Sequence, residues 1–383
     1  MGRVSIIKAE PDLLTSVVRA IYQAGEKPVI RGDRVLIKPN LVIPADPDSG
    51  EITSPTLVEA VARYCLDCGA SEVIIGEGPG YYQPASRLRD CFTRTGIASV
   101  AERLGIRWVL FDEHRYRTFR GVSDFTPDEF RVTEFAFNCD KFINLPVLKT
   151  HWLTTVTLAM KNLKGCLKRE DKPRFHDCDL DRAVVELNKI VRPTINIIDC
   201  TARKIVRQRV RDYSEWKQAG GGVLITGSDI VAVDAVGCAL MGIDPAEVRT
   251  VSLGKAAGLG ESDLTRIDVA GEELRRLKFR IELPQAELRQ NFPLLEIRGA
   301  EKACSGCLIP LLSALTLLRE QGTNLGHPLA VCLGKKPQIP EDMPWLLLGD
   351  CALTEGVDMS RYLPGCPPGR EDIVDWLAQA MAG

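Results

Sequence analysis

At 383 residues, with 45% apolar side chains, the chain is long enough for two or three ordinary domains with well-formed cores. A formal net charge of −2 argues against a nucleic-acid surface or a polybasic membrane anchor, and no run approaches the roughly 18 apolar residues of a membrane span. The opening MGRVSIIKAEPDLL lacks a charged region followed by an unbroken apolar stretch, so the expectation is a cytoplasmic protein with no nucleic-acid and no membrane partner. Local basic clusters such as Arg203 to Arg211 are candidate anion sites.

From the N-terminus, apolar β-rich runs alternate with helical patterns: VSIIKA, a helix to Gln23, RVLIKPN, a helix from Pro55 to Cys68, then EVIIGEG. Ser54 reads as the N-cap of the second helix, Pro55 as its first residue and Gly69 as its stop. Further strands are predicted at RWVLFD, KFINLPVL, INIID and GVLITG, the last leading into an apolar helix from Ile230 to Met241. This βαβ rhythm predicts an α/β fold, a mostly parallel sheet with helices on both faces. Near Gly299 the composition shifts toward Cys, Pro and Gly. The expected division is therefore 1–298, with room for two subdomains, and 299–383, a small C-terminal α/β cysteine-rich metal-binding domain. The latter holds a helix from Pro310 to Gln321, strands LAVCLG and WLLLGD, and a helix from Glu371 to Met381.

Four cysteines of that second region lie in turn-like settings: Cys304 and Cys307 in CSGC, Cys351 in LGDCA and Cys366 in PGCPP. In a reducing compartment gathered thiolates read as metal ligands rather than disulfides, and 13 cysteines cannot all pair. Two residues between thiolates let both sulfurs turn toward one centre, and the prolines after Cys366 fix its turn. Irregular spacing favours a 4Fe-4S cube over tetrahedral Zn, which stays open as the alternative. Cys332, inside an apolar strand, reads as core. Cys65 and Cys68 are a CxxC on an amphipathic helix with no second pair nearby.

The first region carries a second constellation. Lys38 and Asn40 in KPNLV follow a strand, as do Lys149 and His151 in LPVLKTH, and MKNLKG adds Lys161, Asn162 and Lys164. Open α/β sheets bind ligands at such strand ends, and amines with amides gathered there make a site for a carboxylate or phosphate. Glu77, Asp199 and Asp234 are carboxylates able to complete or neutralise it. His176 and Cys178 form an H-x-C pair for which polar or catalytic use of the histidine is preferred over zinc. No Walker A or GxGxxG motif is present.

The runs IKPNLV, GEGPG, LPVLKTHWLTTVTLAMKNLKG, INIID and DIVAVDAVGCALMGIDP, with His176, resemble the DUF362 family, an uncharacterised group linked with iron–sulfur proteins. The resemblance covers about residues 1–275 and implies an α/β fold and a pocket formed from Lys38, Asn40, Glu77, Lys149, His151, Lys161, Asn162 and His176. The ferredoxin-like CxxCxxCxxxC run of some relatives is absent, so a single-cluster variant is implied.

The resulting expectation is an oxygen-sensitive iron–sulfur protein. One 4Fe-4S cluster on Cys304, Cys307, Cys351 and Cys366, at the mouth of the lysine-rich crevice, would transfer electrons to, or activate as Lewis acid, a small anionic substrate or cofactor. Lys149, His151, Lys161 and His176 are the candidate catalytic residues; Lys38, Asn40, Glu77 and Asn162 are the candidate substrate-binding ones. Two alternatives stand beside it: a non-enzymatic electron carrier or metallocentre-assembly partner docking a redox protein, and a structural-zinc protein with a metal-free racemase- or hydrolase-like site. A homodimer is compatible with each.

Overall fold

A computed structural model describes residues 2–26, 28–78, 80, 87, 89–201, 210–211, 222–323 and 326–382. Of the basic run Arg203 to Arg211, all but its last two residues lie outside the described residues. The chain divides into two units, Met1–Glu282 and Leu283–Gly383.

In the first unit an eight-stranded sheet is built from β1 (Arg3–Lys8), β2 (Arg34–Pro39), β3 (Glu72–Glu77) and β4 (Arg107–Leu110), then β7 (Lys141–Leu145), β10 (Ile195–Cys200), β12 (Val223–Gly227) and β13 (Asp268–Gly271). Its order is β13-β1-β12-β10-β7-β2-β3-β4, and only β12 runs against its neighbours. Three small ribbons accompany it: β5 (Tyr116–Arg120) with β6 (Glu129–Thr133), β8 (Lys149–His151) with β9 (Thr155–Thr157), and β11 (Val210–Arg211) with β14 (Arg280–Ile281).

Alternation along the strands decides the two faces. Val35, Ile37, Val73 and Ile75 share a core with the first two helices, α1 (Leu13–Gln23) and α2 (Pro55–Asp67). The short α3 (Asp90–Thr93) and α4 (Ile97–Leu104) lie on that side through Cys91, Phe92 and Ile97. Leu36, Ile74 and Ile198 point into the other core, with α5 (Ala159–Asn162), α6 (Asp171–Arg174), α7 (Leu180–Ile190), α8 (Ile230–Leu240), α9 (Arg249–Ala256) and α10 (Leu274–Leu277) around it. Every residue of α8 is buried, as its lack of a polar stripe demands. The expected α/β class, mostly parallel with helices on both faces, is what the chain forms. At the start of α2, Ser54 is in the N-cap position but its hydroxyl makes no cap bond; it meets Thr56 Oγ1 at 2.6 Å instead.

The second unit comprises α11 (Pro284–Asn291), β15 (Leu295–Arg298), α12 (Ser305–Glu320), β16 (Leu329–Leu333), β17 (Trp345–Leu348), β18 (Tyr362–Leu363) and α13 (Arg370–Ala382). Its sheet, β15-β16-β17-β18, is wholly parallel. The division falls upstream of the expected boundary at 298/299 because β15 pairs with β16, Leu295 opposite Leu329 through Arg298 opposite Cys332. A polar, weakly patterned α11 hid that start from the sequence. Among the described residues no helix is long and apolar enough to cross a membrane.

Candidate functional site

The C-terminal edges of β2, β3, β7 and β10 converge on a buried polar centre. Lys38, at the end of β2, is fully buried, and its Nζ donates to Glu77 Oε2 at 2.8 Å, Glu77 being 3% exposed. An ion pair this deep is the arrangement that spares both charges the cost of standing alone. Gly165 lies directly on it: a Cβ there would fall 2.0 Å from Glu77 Oε1 and 2.6 Å from Lys38 Nζ. The final glycine of MKNLKG is thus required by close approach rather than by a turn. Lys172, also buried, donates to Gly78 O at 2.6 Å.

Asn40 follows β2. Its backbone N donates to Thr53 Oγ1 at 2.8 Å, and that hydroxyl donates on to Leu145 O at 2.7 Å, so one threonine fastens the ends of β2 and β7 together. The Asn40 amide donates to Asn162 Oδ1 at 2.7 Å and accepts from Lys149 Nζ, also at 2.7 Å. The ammonium of Lys149 makes a second bond, to Glu51 O at 2.7 Å. Lys149 is brought there because Leu148 N donates to Asp199 O and Asp199 N to Pro146 O, which carries residues 146–148 along the end of β10 into the β8–β9 ribbon.

Besides Glu77, the other two carboxylates considered from sequence have structural positions. Asp199 accepts from Ser54 N at 2.7 Å and from Thr201, anchoring the start of α2. Asp234 accepts from Ala159 N at 2.6 Å and Met160 N at 3.0 Å, so a side chain of α8 holds the first turn of α5, which carries Lys161 and Asn162. Burial pushes the Asp234 carboxyl up to about 7. A raised folded-state pKa means the folded protein binds that proton more tightly than the unfolded chain. Its contribution is therefore fully present below the ordinary carboxyl value and is lost as pH rises toward 7. The stability of the parent relative to Asp234→Asn should accordingly fall between pH 4 and pH 7 in urea titrations, about these bounds, and flatten above them.

Around Lys149 stand Lys161, Lys164, His151 and His176. Burial lowers the pKa of each of the two imidazoles well below the ordinary value, and nearby ammonium charges lower it further: Lys161, Lys164 and Lys149 for His151, Lys164 and Lys161 for His176. Lys161 is likewise depressed, by burial and then by Lys164 and Lys149. Burial brings Lys149 down to about 8, against the opposing pull of Glu51 and Glu77. This is a pocket of mutually repelling cations. Asp181, pushed up to about 6 chiefly by burial, is a carboxylate that acts on Lys161.

Both imidazoles have a defined tautomer. His151 Nδ1 accepts from Leu153 N at 3.1 Å and Thr154 N at 3.3 Å, which leaves the proton of the neutral ring on Nε2. His176 Nε2 lies 2.9 Å from Lys164 Nζ, and because an ammonium can only donate, that nitrogen accepts. Thr155, four residues after His151, has φ +63°, a left-handed conformation costly for a β-branched residue and of the kind that gathers at binding sites.

The structure therefore unites Asn40, Lys149, His151, Lys161, Asn162 and His176, while Lys38 and Glu77 lie enclosed beneath them as each other's partners. Asn144, Asn196 and Lys172 join the same centre without having been singled out. The one sequence signal of the two asparagines is a polar residue inside otherwise apolar strands, KFINL and INIID, and Lys172, in the helix Asp171–Arg174, has none.

In the second unit CSGC is not a free turn but the start of α12, with Cys304 at its N-cap and Cys307 in its first turn. Cys351 sits in the 3₁₀ turn Asp350–Ala352 after β17, and Cys366 follows β18. Asp350 ties these two turns, accepting from Gly365 N at 2.7 Å and Tyr362 OH at 2.8 Å. Gly349, at φ +87°, presses on the sulfur of Cys307, which would lie 2.8 Å from a Cβ placed there. The four thiols act on one another. The thiol of Cys307 is raised by its hydrogen bond with Cys304, by burial, and by the negative charge of Cys304, Cys366 and Cys351. That of Cys366 is raised by burial, then by Cys351, Cys304 and Asp350. These influences all favour the protonated thiols, and a metal bound here would have to displace those protons. The N–H groups opening a long helix suit the resulting negative charge. The four residues thus fit a thiolate-bound centre, although among the described residues no group of three or more His, Cys, Asp or Glu is already arranged as a metal site. Cys332 stands apart: it is buried in β16 and meets Gln338 O at 3.7 Å. Cys166, buried beside Lys38 and Glu77, does not join His176 and Cys178 in a zinc site.

A thylakoid-associated protein of Synechocystis sp. is 30% identical over 234 residues, which span 60% of this chain and 69% of that one. The lactate racemase apoprotein of Thermoanaerobacterium thermosaccharolyticum is a distant structural neighbour, 12% identical with a TM-score of 0.39, the match covering 63% of this chain and 58% of the racemase. The family model described as a domain of unknown function, DUF362, matches residues 35–239, the segment that supplies all the pocket residues above, and the chain belongs to that family.

Proposed function

We propose that the chain is an iron–sulfur protein in which Cys304, Cys307, Cys351 and Cys366 hold one 4Fe-4S cluster and the cation-rich pocket of the first unit receives a small anionic substrate or cofactor. The reading is supported by four thiols from three segments, the start of α12, the turn after β17 and the segment after β18, that bear on one another. Such a cluster, when bound, supplies one-electron transfer or, with an iron left open, a Lewis acid.

In the pocket, Lys149 and Lys161 attract and orient the anion, and their charge is incompletely balanced by carboxylates. The Nε2–H of His151 is a neutral donor toward it. His176 Nε2 accepts from Lys164 Nζ at 2.9 Å, so a proton can pass along this hydrogen bond and the pair moves protons while Lys149 and Lys161 position. Lys38 and Glu77 form the floor, and Asn162 bonds Asn40, whose oxygen faces Lys149.

Calorimetric titration with inorganic phosphate and with small carboxylates tests the pocket. Lys161→Met should weaken binding about tenfold or more, the effect of one charge-assisted hydrogen bond, while leaving the unfolding transition of the protein in place. A parent protein that binds none of these anions sinks the pocket reading.

A further inference from the structure

We infer that Asn144 and Asn196 are positioning residues of this anion site: a one-way chain of side-chain amides runs from the sheet through them and fixes which end of the Asn40 amide meets Lys149. The inference rests on the pocket reading above for its purpose, though not for its geometry.

The chain begins at two backbone carbonyls, which can only accept. Asn196 donates to Gly227 O at 3.3 Å, and Asn144 donates to Ala159 O at 3.1 Å. With its NH₂ so directed, Asn196 turns its oxygen to Asn144, which donates to it at 2.9 Å. Asn144 in turn presents its oxygen to Asn162, which donates at 2.8 Å, and Asn162 presents its own to Asn40 at 2.7 Å. The Asn40 oxygen is left facing Lys149 Nζ at 2.7 Å. Reversing any amide would set donor against donor in a place where none is more than 3% exposed, so the polarity imposed by the carbonyls is transmitted whole. Parallel pairing places Asn144 directly beside Asn196, and Asp234 holds the turn that provides Ala159.

In a pocket rich in positive charge this chain gives Lys149 an acceptor already turned toward it. Glu51 O takes a second N–H, which leaves one of the three for a ligand. The charged groups acting on Lys149 are Glu51 and Glu77, which favour its ammonium form, and Lys38, which opposes it; Lys149 itself bears on Lys161 and His151.

The test uses the intact protein, isotopically labelled, with the Lys149 ammonium and the four asparagine side-chain amides followed by NMR across pH 7 to 9, about the range in which a lysine lowered this far titrates. The expected result is a common midpoint for Lys149, Asn40, Asn162, Asn144 and Asn196, with amplitude decreasing in that order, and loss of the shared titration in Lys149→Met. Amide signals of Asn144 and Asn196 that stay constant while Asn40 titrates would overturn the inference. If Lys149→Met does not fold, the parent titration alone decides. Phosphate binding by the parent is measured separately: its absence would remove the anion reading without altering the titration, whereas a silent Asn144 and Asn196 would remove the relay without altering binding.

Discussion

Cys307→Ser should abolish the proposed cluster of the C-terminal unit. Cys307 is the enclosed member of the set, 7% exposed, and its sulfur touches the Gly349 turn that leads to Cys351. A serine oxygen there is a harder and far less acidic donor than a thiolate, and a cluster on three sulfurs at this position loses the ligand that joins α12 to the β17 turn. Iron bound after anaerobic reconstitution should fall from about four per chain to near zero, with the visible absorbance lost. Because metal affinity is also folding energy, the C-terminal unit should unfold at lower urea than in the parent. Cys332→Ser is the control. It lies in the core of β16, outside the influence of the four, and should keep its iron whatever it costs in packing. Full iron retention by Cys307→Ser would remove that cysteine from the site.

The second large effect is expected at the floor of the pocket. Lys38→Met leaves the Glu77 carboxylate, 3% exposed and pressed against Gly165, without its hydrogen-bonded ammonium and with the interactions of Lys149 and Lys172 left to offset its charge. Removing one member of such a pair costs roughly 3–5 kcal/mol, whereas replacing both by apolar side chains is often close to neutral. Urea unfolding should therefore show a severe loss for Lys38→Met and recovery of most of it in Lys38→Met with Glu77→Leu. A mild single variant would mean that water or rearrangement reaches Glu77.

The contrast between these two sites explains what could be read from sequence. Lys38, Asn40 and Lys149 were legible because βαβ alternation locates strand ends, where chemistry gathers in an open α/β sheet, and Lys161 and Asn162 because MKNLKG adds amines and an amide on or beside a helix. Sequence could not say which of them face a ligand. Lys38 and Glu77 are 39 positions apart, and only the pairing of β2 with β3 brings them together beneath a glycine backbone. Asn144 and Asn196 were passed over for a similar reason. Each is a single polar residue in an apolar strand, and its meaning depends on the register that sets the two side by side. Asp199 and Asp234 were noticed, but as prospective site groups, whereas both accept backbone N–H groups that open helices. In the second unit the turn residues around Cys351 and Cys366 were visible as glycine and proline, while the placing of Cys304 and Cys307 at a helix start needed the strand–helix register of β15 and α12.

The central claim is that four C-terminal thiolates hold an iron–sulfur cluster. Its most direct measurement is the iron, zinc and acid-labile sulfide content of protein purified without oxygen, together with its visible spectrum. The account predicts a brown protein with about four irons and four sulfides per chain and absorbance near 400 nm, approximately the signature of one 4Fe-4S cube. Colourless protein with about one zinc and no sulfide would contradict it, and would assign the same four cysteines to a structural tetrahedral site.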